Sequence, residues 1–262
     1  MNQNHREDSM SKKIIGLLAL LTFTTCHADV ISVRADTWCP YNCDPKSDRP
    51  GYMIEILKET LGKNGHTIEY KETNWARAIA ESRAGTFTAI VGAAKSDAPD
   101  FIYPDLALGK GSSCFFTLPK TEWKYEGIAS LDSITVGVIR DYSYDGDVFD
   151  AYTKNNIKKI KRIDMISGEH PLERNINKLK TGRIQALIED AAVFKYVNTL
   201  SKAPLDTQNV GCVKVAPLYA AFSPAQPHAA AYAKIVSEGL AEMRKSGKLK
   251  QILAKYNLTD DF

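Results

Sequence analysis

The chain has 262 residues, 44% hydrophobic and 25% charged, and its 34 basic and 31 acidic side chains leave a formal charge of +3. That mixture builds an ordinary globular core, excludes collagen, coiled-coil and disordered chains, and suits one large or two modest domains. No run of five like charges occurs, which argues against a nucleic-acid binder held by electrostatics.

Lys12 and Lys13 precede an apolar run of 10 residues, Ile14 to Phe23, which gives way to Cys26, His27 and Ala28. A membrane span takes about 20 apolar residues. The basic, apolar, small-residue order is that of a secretory signal peptide, so residues 1–28 are expected to be removed after Ala28, with Met1 or Met10 as the start. The mature chain is then periplasmic and keeps Cys39, Cys43, Cys114 and Cys212. An even number of cysteines in an exported chain favours disulfides. Of the three connectivities, the short spacing makes Cys39–Cys43 the first choice and leaves Cys114–Cys212, with two buried thiols as the alternative. Neither a metal site nor a cofactor is expected, because His66, His170 and His228 lie far apart in the sequence and no phosphate loop or nucleophile elbow is present.

From Asp29 onward, strands and helices alternate. Val30 to Val33 is a β-rich start, and Tyr52 to Leu61 carries Met53, Ile54, Leu57 and Leu61 at helical spacing, closed by Gly62. Thr67 to Tyr70 alternates as a strand, Asn74 caps a helix running through Arg83 to Gly85, and Thr88 to Val91 is a short apolar strand. A second series follows: strand Ile134 to Ile139, helix Asp147 to Lys154, strand Ile157 to Ile160, helix Pro171 to Lys180, strand Ile184 to Ile188, helix Ala191 to Leu200. Each series is βαβαβ, which predicts parallel sheets flanked by helices. The extended runs Cys114 to Leu118 and Val213 to Phe222 read as crossings between the halves, and helices with Ala230, Ala233, Val236, Leu240 and Met243 on one face close the chain near Tyr256. Residues 29–116 with 216–262 are expected to form one discontinuous domain and residues 117–215 the other, with a ligand cleft between them.

Several stretches carry a family likeness over essentially the whole mature chain. They are Trp38-Cys39-Pro40-Tyr41, the run from Pro50-Gly51-Tyr52 to Leu57, Asn74-Trp75-Ala76-Arg77, Pro99-Asp100-Phe101, the run from Gly182-Arg183-Ile184 to Glu189-Asp190, and Ser246-Gly247-Lys248-Leu249. In that order and spacing the sequence resembles the extracellular solute-binding proteins of family 3, the polar amino-acid-binding group. The resemblance implies an α/β, type II periplasmic-binding-protein-like fold of two βαβ domains joined by two hinge crossings. It implies a non-enzymatic monomer that captures a small polar solute, an amino acid or related zwitterion, and hands it to the membrane permease of an ATP-binding-cassette (ABC) importer.

A zwitterion needs a cation for its carboxylate, an anion for its ammonium and an apolar wall. The resemblance places Asp190 at the ligand ammonium, although an Asp before Ala191 also reads as a helix N-cap. Where the family carries a carboxylate-binding arginine this chain has Lys95, a point charge without the bidentate fork. Arg77 is the candidate replacement, with a solvated surface arginine as the competing reading, and Arg140 is a weaker one. Trp38, Tyr41 and Trp75 fall where the family has aromatic cleft walls, while Trp75 also suits a helix anchor. Ser143 lies near the loop that cradles the carboxylate, flanked here by Tyr142 and Tyr144. The rival reading is an exported lyase on the same fold, similar to cyclohexadienyl dehydratase, with Glu189 or Asp190 as general acid.

Overall fold

A computed structural model describes Met1 and residues 28–158, 162–168 and 170–260, so nearly all of the expected signal segment, residues 2–27, lies outside the described residues. Strand β1 (Val30–Ala35) leads through a long loop to helix α1 (Tyr52–Gly62), whose buried face is built from Met53, Ile54, Ile56, Leu57 and Leu61. Strand β2 (Thr67–Glu72) lies parallel to β1. Helix α2 (Trp75–Arg83) starts at Asn74, whose side chain accepts from the Arg77 N–H at 3.3 Å. Strand β3 (Ala89–Ala93), apolar and almost wholly buried, completes the first βαβαβ unit beside β1. Gly51 sets the approach to α1. It has φ of 104°, and a Cβ there would stand 2.4 Å from the Tyr41 carbonyl oxygen, so only glycine fits.

Strand β4 (Gly109–Thr117) carries the chain into the second half. There follow β5 (Val136–Ile139), α3 (Val148–Asn156), β6 (Ile163–Ile166), α4 (Pro171–Lys180), β7 (Ala186–Asp190) and α5 (Ala191–Leu200). The long strand β8 (Gln208–Phe222) returns the chain, and α6 (Ala229–Ser246) and α7 (Lys248–Ala254) pack against α1. The sheet order is β2-β1-β3-β8-β4-β7-β5-β6. β4 and β8 run antiparallel along the middle, β3 joins β8 and β7 joins β4 antiparallel, and each outer trio is parallel. The ends of β1 and β7 therefore face one another across a cleft, where open α/β sheets bind ligands.

Three expectations change. Ile157 is the C-cap of α3 rather than the start of a strand, residues 159–160 lie outside the described residues, and the strand instead occupies Ile163–Ile166. There Ile163 pairs with Val136 and both are buried, whereas the stretch after Ile157 is interrupted by lysines. Both central strands begin earlier than their apolar residues suggest, because Gly109 to Ser113, Gln208 and Asn209 are polar or glycine yet pair through backbone groups. Gly62 is the last residue of α1, and the left-handed turn is made by Gly65 at φ 85°.

Cys114 and Cys212 pair across β4 and β8 with sulfurs 2.03 Å apart, and Cys39 joins Cys43. The first bridge closes a loop with a sequence separation of 98 residues, for which chain entropy gives up to about 4.7 kcal/mol. The double substitution Cys114→Ala and Cys212→Ala is expected to lower the urea-unfolding free energy by about 2–5 kcal/mol. An unchanged unfolding midpoint would show that the bridge constrains nothing.

Candidate functional site

The cleft holds an inner cavity of about 210 Å³ and, on its other side, a wider one of about 1140 Å³. Asp36, Trp38, Trp75, Tyr142 and Glu189 line both. Asp36 and Trp38 come from the turn after β1, which the Cys39–Cys43 bridge closes, and the Trp38 ring stacks on Tyr41 at 4.5 Å. Trp75 opens α2, Tyr142 follows β5, and Glu189 sits one residue before the end of β7.

Hydrogen bonds cross the cleft at three points. Trp38 Nε1–H donates to Glu189 Oε1 at 3.2 Å, and the Tyr142 hydroxyl donates to Asp36 Oδ2 at 2.6 Å. The Tyr41 hydroxyl lies 3.0 Å from Asp190 Oδ1 and also 3.0 Å from the Lys110 carbonyl oxygen. Asp190 is heavily used. Oδ1 accepts from the N–H groups of Ala192 and Val193 at 2.9 and 3.1 Å, which caps α5, and Oδ2 accepts from Ser112 N–H at 2.6 Å. Glu189 is less well supplied: Oε1 also accepts from Asp190 N–H at 2.8 Å, while Oε2 is buried without a hydrogen-bond partner among the described residues.

Burial shifts these carboxyls, none of which forms an ion pair among the described residues. It raises Glu189 to about 8, against which the Asp190 N–H and Trp38 bonds act. Asp36 rises to about 6, opposed by the bond from Tyr142, and Asp97, which lines the inner cavity, rises to about 7. Asp190 is raised by burial too, opposed by its backbone donors.

Of the residues singled out in the sequence, Trp38, Trp75, Lys95, Ser143 and Asp190 line the inner cavity. Tyr41 stands behind Trp38 as its stacking partner and lines neither cavity. Arg77 lines neither as well; its side chain is 67% exposed and pairs with Glu81 at 2.7 Å, one helical turn away. The Lys95 ammonium lies over the rings of Tyr219 and Tyr103, 5.1 and 5.7 Å from their centroids. Arg140 is exposed on the wall of the wider cavity. The Ser143 hydroxyl donates to Asp150 Oδ2 at 2.7 Å. Sequence reasoning missed Asp36, although its place just past a strand end was legible, and Asp97.

No protein-family model matches the chain, and no curated protein does. Among solved structures, the probable amino-acid ABC transporter extracellular-binding protein YtmK of Bacillus subtilis is 20% identical, with a TM-score of 0.65, over 90% of this chain and 100% of that one. A Streptococcus mutans structure, from glutathione import via GshT and the cystine ABC importer TcyBC, is 15% identical with a TM-score of 0.70, over 89% and 98%. The ancestral amino acid-binding protein AncCDT-1, a precursor of cyclohexadienyl dehydratase, is 17% identical with a TM-score of 0.64, over 87% and 95%. The chain therefore has the α/β fold of periplasmic binding proteins. Among the described residues no helix is long and apolar enough to cross a membrane.

Because burial raises the Glu189 carboxyl from 4.5 to about 8, the folded protein keeps a proton there that the unfolded chain loses. Stability therefore falls as pH rises through that window. Glu189→Gln keeps a neutral side chain that still accepts from Trp38. The unliganded variant is expected to be more stable than the parent at about pH 8, by at least about 1 kcal/mol in urea, with the gap closing toward about pH 4.5. Parallel stability curves would contradict the assignment.

Proposed function

We propose that this chain is an exported solute-binding protein of the family 3 type, which closes its two lobes on a small polar solute bearing an ammonium group and presents it to the permease of an ABC importer. In this reading residues 1–28 direct export, residues 29–116 with 216–262 form one lobe, residues 117–215 form the other, and β4 and β8 are the hinge. The protein works as a monomer without a cofactor. The observation that carries the reading is the cavity between the sheet halves, walled by Trp38 and Trp75, floored by carboxyls, and bridged from both sides by Trp38–Glu189 and Tyr142–Asp36. Bonds of this kind hold a closed state that a ligand deepens by contacting both lobes at once. The likeness to importer-associated binding proteins supports the same reading.

A second reading has one observation in its favour. Glu189, with its carboxyl pushed to about 8 inside a cleft, holds a proton at neutral pH as a general acid must. A lyase acting on prephenate would have to bring two substrate carboxylates into an acid-lined cavity, which the charge distribution opposes.

A thermal-shift screen of amino acids, short peptides and amines separates the two. A solute at 100 times its Kd adds about 2.7 kcal/mol and is expected to raise the unfolding midpoint by about 5–10 °C. Scattering should then show a smaller radius of gyration. No shift with any solute, together with turnover of prephenate or arogenate, would replace the binding reading with the enzymatic one.

A further inference from the structure

We propose that the inner cavity takes a small organic amine without a carboxylate, its ammonium seated at Glu189 beside Asp36 and its apolar body against Trp38 and Trp75. This deepens the binding reading and rests on it, and it departs from the zwitterion that the family resemblance implies.

The seat for the cation is Glu189. This side chain is 1% exposed and lines both cavities, with Oε1 engaged by Trp38 and the Asp190 N–H while Oε2 has no partner among the described residues. A buried carboxyl oxygen without a partner is a cost that a ligand ammonium removes once the group gives up its proton. Asp36, Asp97 and Asp190 share the inner wall, and among the described residues none of the four forms an ion pair. The concentration of acid is local, since the chain as a whole carries a formal charge of +3. The described residues contain no group of three or more His, Cys, Asp or Glu that could hold a metal ion. Two tryptophans in the walls match the apolar body of an organic cation.

Several N–H groups that could hold a ligand carboxylate beside the inner cavity are taken by the protein's own side chains. A helix N-terminus is the usual anion site. At the start of α3, Asp150 takes the Ser143 hydroxyl at 2.7 Å, the Tyr144 N–H at 2.9 Å and the Gly146 N–H at 3.0 Å. Asp145 takes the N–H groups of Phe149 and Asp147 at 2.8 and 2.9 Å. At the start of α5 the N–H groups of Ala192 and Val193 go to Asp190, and at α2 the Arg77 N–H goes to Asn74. Of the candidate cations, Arg77 lies outside both cavities on Glu81 and Arg140 on the wall of the wider one, while Lys95 lines the inner cavity with its ammonium over two tyrosine rings.

Charge balances through the proton. Without ligand the buried carboxyl is neutral, and seating an ammonium releases its proton to the buffer, so one positive charge enters as one leaves. The groups acting on Glu189 are Asp36 beyond β1, Asp190 on its own strand, Tyr142 and Tyr144 after β5, and Tyr41 behind Trp38.

Calorimetry at about pH 7 with matched probes tests this: cadaverine against lysine, agmatine against arginine, tyramine against tyrosine, each in phosphate and in MOPS. At least one amine is expected to bind at least tenfold more tightly than its amino acid, with heats that differ between buffers as a released proton requires. Glu189→Gln is expected to weaken that amine at least tenfold while its unfolding midpoint is not lowered, which excludes a folding defect. An amino acid that binds as tightly as its amine overturns the inference and leaves the binding reading standing. Silence from every amine overturns it as well, and the amino-acid arm then decides whether the binding reading survives.

Discussion

Burying a carboxyl is unfavourable unless donors surround it, and the end of β7 buries two in succession. Asp190 meets that requirement from four directions: two N–H groups of α5, the Ser112 N–H on β4, and the Tyr41 hydroxyl from the far side of the cleft. In doing so it starts α5, fastens β7 to the central strands and positions the turn that carries Trp38. Glu189 meets it on one oxygen only. The position of the aromatic wall and the charge of the cavity both follow from how these neighbouring side chains share the available donors.

The same economy governs the second half of the cleft. The loop from Tyr142 to Gly146 turns around Asp150, which collects the donors that would otherwise point at a ligand anion. Tyr142 is thereby held where its hydroxyl reaches Asp36 on the opposite side. A carboxylate built into the protein thus does for the loop what a bound anion does elsewhere, and the cavity beside it is left with acid groups. The electrostatics and the loop geometry are one arrangement.

Much of the fold was legible because local signals and tertiary packing agree. Asn74 and Gly85 bound α2 as their side chain and backbone conformations require, and the Asp-Ala-Ala sequence at the end of β7 marked a capped helix. The starts of β4 and β8 were hidden, since Gly109-Lys110-Gly111-Ser112-Ser113 has no apolar alternation and becomes a strand only because β8 lies opposite. Strand β6 was misplaced for the converse reason: an isoleucine after α3 resembles a strand until the register with β5 selects Ile163. In the site, the family resemblance marked Trp38, Trp75 and Asp190, the last also by its place at a strand end. Neither signal tells which carboxyl runs out of donors, because that depends on Trp38, distant in sequence, or that Asp150 turns back onto its own loop, because that depends on the conformation the loop adopts.

The protonation of Glu189 is the point on which the cleft's chemistry turns, and infrared difference spectroscopy reads it directly. At neutral pH the C=O stretch of protonated carboxyls in the unliganded protein is expected to include a Glu189 component, identified as the part missing from Glu189→Gln, and that component is lost from the parent when a bound amine converts the group to carboxylate. A Glu189 that is ionised before any ligand is added, or a Glu189 component that persists at saturation with the amine, would contradict it.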